Sequence, residues 1–287
     1  MKANLHVHTT NSDGTKTVEE INDLALKNHF DYVAITDHDT VEAIDEIKTL
    51  NTPVNFIIGV EMTCQYNNEN IHILGYFADD VPLNVRKYFQ KESVRRVERC
   101  KKIISNLQKF YNLDINYDDV LAQADGVIAR PHIAMAICEK YGCSYREAFE
   151  YYIGDDNKAY VPCDVISLED AIKFLKDNGA LVSLAHPIRI TTFDYREILD
   201  KGFDGIECYH PDQNKWIRGE LLSLAYYYNL VVTGGSDYHG DIISTRFEDS
   251  YIADGNFQEF YEVLNKQKTK SKQIVKKIEY DKIPITK

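Results

Sequence analysis

The chain has 287 residues, of which 44% are hydrophobic and 27% charged, and its 33 Lys and Arg against 45 Asp and Glu give a net charge of −12. These values exclude a mostly disordered chain, and the length fits one large α/β barrel or two small domains. There is no apolar stretch near the roughly 18 residues of a membrane span and no signal-peptide core, so we expect a soluble, cytoplasmic protein that does not contact a membrane. An acidic surface repels phosphate, so a phosphorylated substrate requires positive charge at its site.

Short apolar runs alternate with amphipathic stretches along most of the chain. The predicted strands are 3–7, 31–36, 54–60, 71–77, 180–185, 205–209 and 230–233. The predicted helices between them are 18–27, 41–50, 168–176, 195–199 and 216–228. This alternation is typical of parallel strands covered by helices. A closed barrel fits the length better than an open sheet, although periodicity alone does not decide between them.

Residues 82–160 interrupt the alternation. They are predicted to be mostly helical, over 83–110, 117–123, 133–141 and 145–152. We therefore expect a barrel domain formed by 1–81 and 161–287, with 82–160 as a helical insertion, or lid, over the mouth of the barrel. The Lys-rich end, 266–287, is predicted to be a peripheral segment or tail. Six cysteines without a CxxC pair, in a chain without an export signal, do not indicate a disulfide framework.

Eight of the nine histidines lie in short polar motifs, and only His29 looks incidental. His6 and His8 are two apart on a predicted strand, so both imidazoles point to the same face and can bind one ion. Asp13 follows in the next loop. The remaining motifs are Thr36-Asp37-His38-Asp39, Gly59-Val60-Glu61, Ile71-His72-Ile73, Arg130-Pro131-His132, Ala185-His186-Pro187, Glu207-Cys208-Tyr209-His210 and Ser236-Asp237-Tyr238-His239.

Nearly all of these motifs follow a predicted strand, which is where barrel enzymes collect their catalytic groups. Imidazole and carboxylate ligands without cysteine suit zinc, manganese or iron and disfavour a structural zinc site. The alternative is that the polar residues only cap the helices that follow. Capping explains Asp37 or Asp237 individually, but it does not explain why the histidines collect at the same places.

The ordered motifs HxH, TDHD, GxE, RPH, AHP and SDxH resemble the PHP (polymerase and histidinol phosphatase) superfamily over essentially the whole chain. The resemblance is closest to the subgroup of nucleoside 3′,5′-bisphosphate phosphatases and 5′→3′ exonucleases of short RNA and single-stranded DNA. That subgroup pattern is carried by 130–132, by 152–154 with 158–162, and by 233–240. Cys163 departs from it, because a basic residue is common at this position.

The resemblance implies a distorted (β/α)7 TIM-like barrel of the PHP type with a trinuclear metal centre of two to three Mn, Fe or Zn ions. The implied ligands of the first ion are His6, His8, Glu61 and Asp237. The second ion would share Glu61 and take His72 and His186, and the third would take Asp13, His38 and His239. His132 competes with His186 for the second ion, and otherwise it contacts the phosphate of the substrate.

The expected reaction is attack on phosphorus by hydroxide generated at the metal ions. Arg130 either holds the phosphate with its planar guanidinium or forms a surface ion pair, and Lys158 has the same two alternatives. His210 is either a general acid or a residue that orients the substrate. Asp37 either orients the neighbouring His38 or caps the helix that begins near residue 41.

A basic run on the first helix of the insertion has two interpretations. Residues 86–109 contain nine basic side chains and only two acidic ones. In the first, the run guides the phosphates of a nucleotide or a single strand, with Arg95 and Arg99 as the candidate substrate-binding residues. In the second, the run is a solvated helix face, which is the usual meaning of such a run.

These patterns together predict a divalent-metal-dependent phosphoesterase that acts on a bisphosphate nucleotide or on the 5′ end of short RNA or single-stranded DNA. Two alternatives remain. The first is a phosphomonoesterase for a non-nucleotide metabolite such as histidinol phosphate, and the second is a metal-binding regulatory module without turnover.

Overall fold

A computed structural model describes residues 1–280 except 125–127, 129, 163–164 and 241–243, and for helix residues 268–280 it describes the backbone alone. Cys163 therefore lies outside the described residues, as do the last seven residues of the Lys-rich end. The five cysteines within the described part of the chain are free thiols. Among the described residues, no helix combines the length and the apolar character needed to cross a membrane.

The barrel is built from one sheet of eight strands within the described residues. The strands are β1 (Lys2–Val7), β2 (Tyr32–Ile35), β3 (Asn55–Tyr66), β4 (Glu69–Phe77), β5 (Leu181–Leu184), β6 (Gly205–Tyr209), β7 (Val231–Gly234) and β8 (Ile252–Ala253). Their order is β7-β6-β5-β4-β3-β2-β1-β8. The chain after β7 returns to β1, where Tyr238 forms a parallel bridge with Val7. Strands β1–β7 therefore form a nearly closed barrel, as the sequence predicts.

One strand departs from the parallel arrangement expected from the sequence. β4 is antiparallel to both of its neighbours, β3 and β5. The β3–β4 turn is made by Asn67 and Asn68, both with positive φ (49° and 63°), which asparagine tolerates and which a tight hairpin requires. Because β4 runs in the opposite direction, its beginning, not its end, lies at the mouth of the barrel. This reversal brings His72 to the same end as the other motifs.

Helices cover the outside of the barrel. They are α1 (Val18–Lys27), α2 (Ala43–Ile47), α7 (Leu168–Asp177), α8 (Lys215–Tyr228) and α9 (Asp254–Tyr280). Several begin at side chains suited to capping; Thr17 and Glu20 form a capping box on α1. Helix α9 was not predicted, since only a peripheral segment was expected at its end. Phe257, Phe260 and Leu264 follow the spacing of a helical face and are buried against the barrel core, which explains the helix.

The insertion has a hydrophobic core of its own. It contains α3 (Leu83–Tyr111), α4 (Tyr117–Leu121), α5 (Arg130–Tyr141), α6 (Tyr145–Ala148) and a π-helical turn (Phe149–Ile153). Buried residues of α3 and α5, such as Leu107 and Ile137, pack together in this second core. Helix α5 begins at Arg130, three residues earlier than predicted, so the Arg-Pro-His motif forms its first turn. Arg96 of α3 pairs with Asp39 of the barrel and joins the two parts.

Candidate metal centre

Polar side chains from all around the barrel converge at its mouth. His6 lies at the end of β1 and His8 immediately follows it, whereas Glu61 lies in the longer strand β3. Gly235 permits the close approach of the chain after β7, because a Cβ there would lie 2.3 Å from the His6 backbone nitrogen. Asp237 then donates its backbone N–H to the His6 carbonyl at 2.9 Å. Two histidines are elsewhere: His29 lies between α1 and β2, and His132 lies on α5.

Glu61 is at the centre of the cluster and is fully buried. One of its carboxylate oxygens, Oε2, lies 3.0 Å from His6 Nε2 and 3.1 Å from His8 Nε2. The other oxygen, Oε1, lies 3.0 Å from His72 Nδ1 and 2.7 Å from His186 Nε2. A single carboxylate therefore connects two sets of imidazoles.

Three groups of potential ligands lie within the described residues, each with its ligand atoms within 4.8 Å of one another. They are His6, His8, Glu61 and Asp237; His8, Asp13, His38 and His239; and His38, Glu61 and His72. The first group has the composition expected for the first ion, and the second contains the set expected for the third ion. His186 lies against Glu61 Oε1 beside the last group, whereas His132 belongs to none of the three.

The chemistry of these groups fits divalent cations. His8 Nδ1 and Asp13 Oδ1 are buried 3.7 Å apart, and neither has a hydrogen-bond partner among the described residues. Burying two unsatisfied polar atoms is costly, and a bound cation would satisfy both. Histidine nitrogens and carboxylate oxygens are the donors that zinc, manganese and iron accept.

The charge balance of the cluster also indicates a cation site. Burial disfavours ionised carboxylates, but the surrounding imidazoles hold the pKa values of Glu61 and Asp237 well below their usual range. Burial likewise opposes protonation of His8, yet hydrogen bonds to Asp237 and Glu61 raise its pKa to about 10. By contrast, burial lowers the pKa of His38 to about 4 despite the nearby carboxylates. The buried carboxylates thus require positive charge beside them, which is the condition that a cation site meets.

Glu207 was not expected to act at the site, although it lies in one of the histidine motifs. Glu207 is buried on β6, and its Oε1 lies 3.0 Å from His6 Nδ1. Its second oxygen accepts a hydrogen bond from the His186 backbone N–H at 2.8 Å. A carboxylate on the far nitrogen of a metal-binding imidazole fixes its tautomer and orientation. The available signal was an acid inside a predicted strand, 205–209, three residues before His210.

His210 is not placed as the reaction's general acid would be. Its side chain is 1% exposed, and Nε2 lies 3.4 Å from Asp237 Oδ2, while Nδ1 accepts the Asp212 backbone N–H. His210 is not among the described residues that line the cavity discussed below. The position suits a residue that orients Asp237, because burial behind that carboxylate separates it from a substrate.

Asp37 follows neither of its two expected roles. Its carboxylate accepts hydrogen bonds from the Thr9 backbone N–H at 2.7 Å and from the Ser12 hydroxyl at 2.6 Å. It also accepts one from the Thr9 hydroxyl. Asp37 therefore fixes the loop that follows β1 and carries Asp13, rather than His38 or the start of α2.

A cavity of about 990 Å³ lies between the barrel mouth and the insertion. Its floor includes the potential ligands Asp13, His38, His72, Asp237 and His239. Four arginines also line it: Arg96, Arg99, Arg130 and Arg189. These guanidinium groups supply local positive charge in a chain whose net charge is −12. The same lining contains the carboxylates of Asp13, Asp39, Glu69, Asp155 and Asp237, so the arginines offset its negative charge without reversing it.

Arg130 and Arg99 approach the same aromatic ring. Their guanidinium carbons lie 5.2 Å and 5.6 Å from the ring centre of Tyr160. Arg130 also pairs with Asp155, and Arg99 Nε donates to the Val161 carbonyl at 2.7 Å. Arg130 thus combines both alternatives considered from the sequence, since it forms an ion pair and lines the cavity.

Two expected substrate-binding residues are placed differently. Arg95 Nη1 lies 2.8 Å from Glu92 Oε1 on the same helix, and Lys158 is exposed. Neither is among the described residues that line the cavity. On α3 the side chain that faces the mouth is Arg96, one residue later, because a single step around a helix turns the side chain by about 100°.

Arg189 was not expected at the site either. It lies in a 3₁₀ helix (Pro187–Arg189) directly after His186. Its Nη1 lies 2.7 Å from Asp237 Oδ2, and its Nη2 lies 2.9 Å from Asp212 Oδ2. Its position three residues after His186 was the available sequence signal.

Comparison with known proteins places the chain in a family. The PHP domain family matches residues 4–273. The chain is 28% identical over 249 residues to a phosphoribosyl 1,2-cyclic phosphate 1,2-diphosphodiesterase of Eggerthella lenta, covering 84% of this chain and 95% of the relative. It is 31% identical to the 5′-3′ exoribonuclease Rnm of Escherichia coli (82% of this chain, 84% of the relative). It is 26% identical to a 3′,5′-nucleoside bisphosphate phosphatase of Chromobacterium violaceum (82% and 86%).

A solved structure agrees with these relatives. A metal-dependent phosphoesterase of Bifidobacterium adolescentis is 29% identical and superimposes with a TM-score of 0.72, covering 90% of this chain and 94% of that one. The three named relatives catalyse different reactions, but all are hydrolases of phosphate esters. The chain belongs to the PHP domain family and is a hydrolase of phosphate esters that depends on divalent metal.

Proposed function

We propose that the protein hydrolyses a phosphate ester of a nucleotide, either the 3′-phosphate of a nucleoside 3′,5′-bisphosphate or the ester at the 5′ end of short RNA or single-stranded DNA. The observation that carries the proposal is the Glu61-centred cluster on the floor of a cavity that four arginines line. Relatives named as an exoribonuclease and as a nucleoside bisphosphate phosphatase support the nucleotide class.

The ligand groups are assigned to two or three Mn, Fe or Zn ions. The first ion takes His6, His8, Glu61 and Asp237. The second takes Glu61, His72 and His186, and the third takes Asp13, His38 and His239. Such ions, when bound, supply Lewis acidity toward phosphate oxygens and a water of lowered pKa. Glu207 and His210 hold His6 and Asp237 in the orientation that these groups need.

The arginines bind the phosphate groups of the substrate. A guanidinium presents paired N–H donors to two oxygens of one phosphate, and such charge-assisted hydrogen bonds are stronger than neutral ones. Arg189 contacts Asp237 and therefore lies next to the first ligand group. Arg96, Arg99 and Arg130 extend the positive charge along the insertion. We assign His132, which lines the cavity from α5, to the substrate side of the site.

The division into a barrel domain (1–81 and 161–287) and a lid (82–160) remains part of the proposal. The separate core of the insertion supports it, as does the position of the cavity beneath α3 and α5. A lid of this kind limits the length of the substrate that can enter. The distance between the arginines and the cavity opening therefore determines whether a mononucleotide or an oligonucleotide is the substrate.

A substrate panel tests the proposal. Purified protein with added Mn²⁺ is incubated with adenosine 3′,5′-bisphosphate, 5′-phosphorylated short RNA, histidinol phosphate and a ribose cyclic phosphate, and products are separated by chromatography. We expect release of phosphate from the bisphosphate, of a mononucleotide from the RNA, or of both. An Asp237→Asn variant prepared in parallel excludes contaminating phosphatases. Hydrolysis of histidinol phosphate alone, or opening of the ring of the ribose cyclic phosphate alone, would contradict the nucleotide assignment.

A further inference from the structure

Two of the described cysteines face each other in the insertion. Cys138 lies on the last turn of α5, and Cys143 lies in the short segment between α5 and α6. Their sulfur atoms are 3.9 Å apart, and both residues are partly exposed. The three other described thiols are buried in the hydrophobic cores: Cys64, Cys100 and Cys208. The pair therefore combines a neighbouring sulfur with access to solvent.

The end of α5 brings the two thiols together. The Gly142 N–H donates to the Cys138 carbonyl at 2.8 Å, and Gly142 has a φ of 70°, the left-handed conformation that often ends a helix. Ser144 follows Cys143 directly and forms a capping box with Glu147 at the start of α6. Cys143 thus lies between two fixed backbone positions, and its sulfur is held near that of Cys138.

This arrangement suits an oxidant better than a metal ion. A disulfide requires about 2.0 Å between its sulfur atoms, so the two sulfurs must approach by about 2 Å. Rotation of the Cys143 side chain can supply this shift, because the residue lies in a loop and is partly exposed. A stable site for zinc uses about four ligands, and neither cysteine belongs to the ligand groups among the described residues.

We propose that Cys138 and Cys143 form a reversible oxidation site that reacts with small-molecule disulfides such as oxidised glutathione. The thiolate of Cys143 attacks one sulfur of the oxidant, which breaks the S–S bond of the oxidant and releases one thiol. The thiolate of Cys138 then attacks the Cys143 sulfur of the mixed disulfide, which forms the Cys138–Cys143 bond and releases the second thiol. The protein loses two electrons and two protons, and both pairs pass to the released thiols.

The order of the two attacks follows from the surroundings of each thiol. Burial and the neighbouring Cys143 sulfur raise the pKa of the Cys138 thiol, so this thiol stays protonated at neutral pH. Cys143, in the loop, is therefore the first to react, and Cys138 resolves the mixed disulfide from its adjacent position. In a chain whose described cysteines are free thiols, such a bond is a reversible modification and not part of a structural framework.

The bond restrains the part of the insertion that holds Arg130. Arg130 begins α5, and its guanidinium carbon lies 6.0 Å from the ring centre of Phe149, the first residue of the π-helical turn after α6. A bond between Cys138 and Cys143 joins the end of α5 to the start of α6, so it reduces motion between these two segments. Neither cysteine is among the described residues that line the cavity, so oxidation leaves the cavity open.

Tryptic mapping tests whether the bond forms. The protein is incubated with excess oxidised glutathione, the remaining thiols are alkylated, and the digest is analysed by mass spectrometry. Cleavage after Lys140 places Cys138 and Cys143 on separate peptides, so only a disulfide joins them. We expect the linked peptides to form and to separate on reduction. Peptides that stay separate after the treatment, or a bond to another cysteine, would overturn the proposal.

Single variants distinguish the pair from general thiol reactivity. Cys138→Ser leaves Cys143 without its partner, so we expect its oxidation to stop at a mixed disulfide, seen as the added mass of one glutathione. Cys64→Ser is the control at a buried thiol, since serine can keep the hydrogen bond that Cys64 donates to the Ile71 carbonyl. This control should still give the linked peptides. An unmodified Cys143 in Cys138→Ser would contradict the first attack.

Hydrogen exchange tests the restraint on the insertion. We expect the backbone amides of 138–149 to exchange at least about fivefold more slowly in the oxidised protein than in the reduced protein. Cys143→Ser treated with the same oxidant cannot form the bond and should keep the faster exchange. Equal exchange in the oxidised and reduced proteins would overturn the restraint. Neither measurement uses phosphoesterase activity, so each outcome is independent of the proposed function.

Discussion

Glu207 Oε1 lies 3.0 Å from His6 Nδ1, on the ring edge opposite the nitrogen that faces Glu61. The hydrogen bond to Glu207 places the proton on Nδ1 and leaves Nε2 available to a cation. The other oxygen of Glu207 holds the backbone of His186, so one buried carboxylate positions two of the proposed ligands.

Replacing Glu207 tests this positioning role. Glu207→Gln keeps the size of the side chain and removes its charge, and we expect the affinity for Mn²⁺ or Zn²⁺ to fall about 10- to 100-fold. Competition with a chelator of known affinity measures the change. Glu197→Gln, at an exposed position, is the matched control. Unchanged metal affinity in Glu207→Gln would show that His6 is held by other contacts.

Replacing Glu61 tests whether one carboxylate serves two ions. Its two oxygens face different imidazoles, so Glu61→Gln weakens both ligand groups at once. We expect the bound metal per chain to fall by more than one ion and phosphate release to fall at least about a hundredfold, an effect in the range of lost metal-site residues. Elemental analysis and a phosphate assay provide the two measurements. A loss confined to one ion contradicts a shared Glu61.

Two adjacent arginines on α3 test which side of that helix faces the cavity. Arg96 lines the cavity, whereas Arg95 pairs with Glu92. Arg96→Ala should raise KM about tenfold, because a charge-assisted hydrogen bond contributes about 1.5–3 kcal/mol. Arg95→Ala should leave KM within about twofold of the wild type. Steady-state kinetics with melting curves for both variants check this, and a larger KM effect in Arg95→Ala would reverse the assignment.

Metal removal should make stability depend on pH in the alkaline range. In the metal-free protein the pKa of His8 is raised to about 10, so the folded state holds a proton that the unfolded state loses near pH 6.5. The stabilisation is complete below pH 6.5 and is lost as the pH rises toward 10. We expect the melting temperature of chelator-treated protein to fall by at least about 3 °C from pH 7 to 9.5.

Mn²⁺-loaded protein provides the comparison for this pH effect. A cation replaces the proton of a ligating imidazole, so metal binding at pH 8 should release protons, and the loaded protein should show a smaller alkaline loss of stability. Calorimetry in buffers of different ionisation enthalpy counts the released protons. Proton uptake on binding, or the same pH profile with and without metal, contradicts the account.

Local patterns in the sequence predicted most of the barrel because nearly all of the motifs follow an apolar run of strand length. Helix α1 and strand β6 have the predicted bounds, 18–27 and 205–209. The direction of β4 was not predictable in this way, since apolar content does not distinguish a parallel from an antiparallel neighbour. The Asn67-Asn68 pair was the available signal of a hairpin.

The site followed from the sequence where residue type alone limits the chemistry. All nine proposed ligands, among them Glu61 and Asp237, lie in the cluster or directly against it. The roles of Glu207, Arg96 and Arg189 depend on which way each side chain points in three dimensions, which spacing alone did not resolve. Spacing also did not predict that His210 lies behind Asp237 or that Arg95 pairs with Glu92.

Anomalous diffraction from crystals grown with Mn²⁺ tests the central claim most directly, namely that the cluster around Glu61 binds several cations. We expect two or three anomalous peaks, with Glu61 shared between two of them and Asp13 at the third. Crystals that give no peak within reach of these carboxylates, despite saturating Mn²⁺, would contradict it.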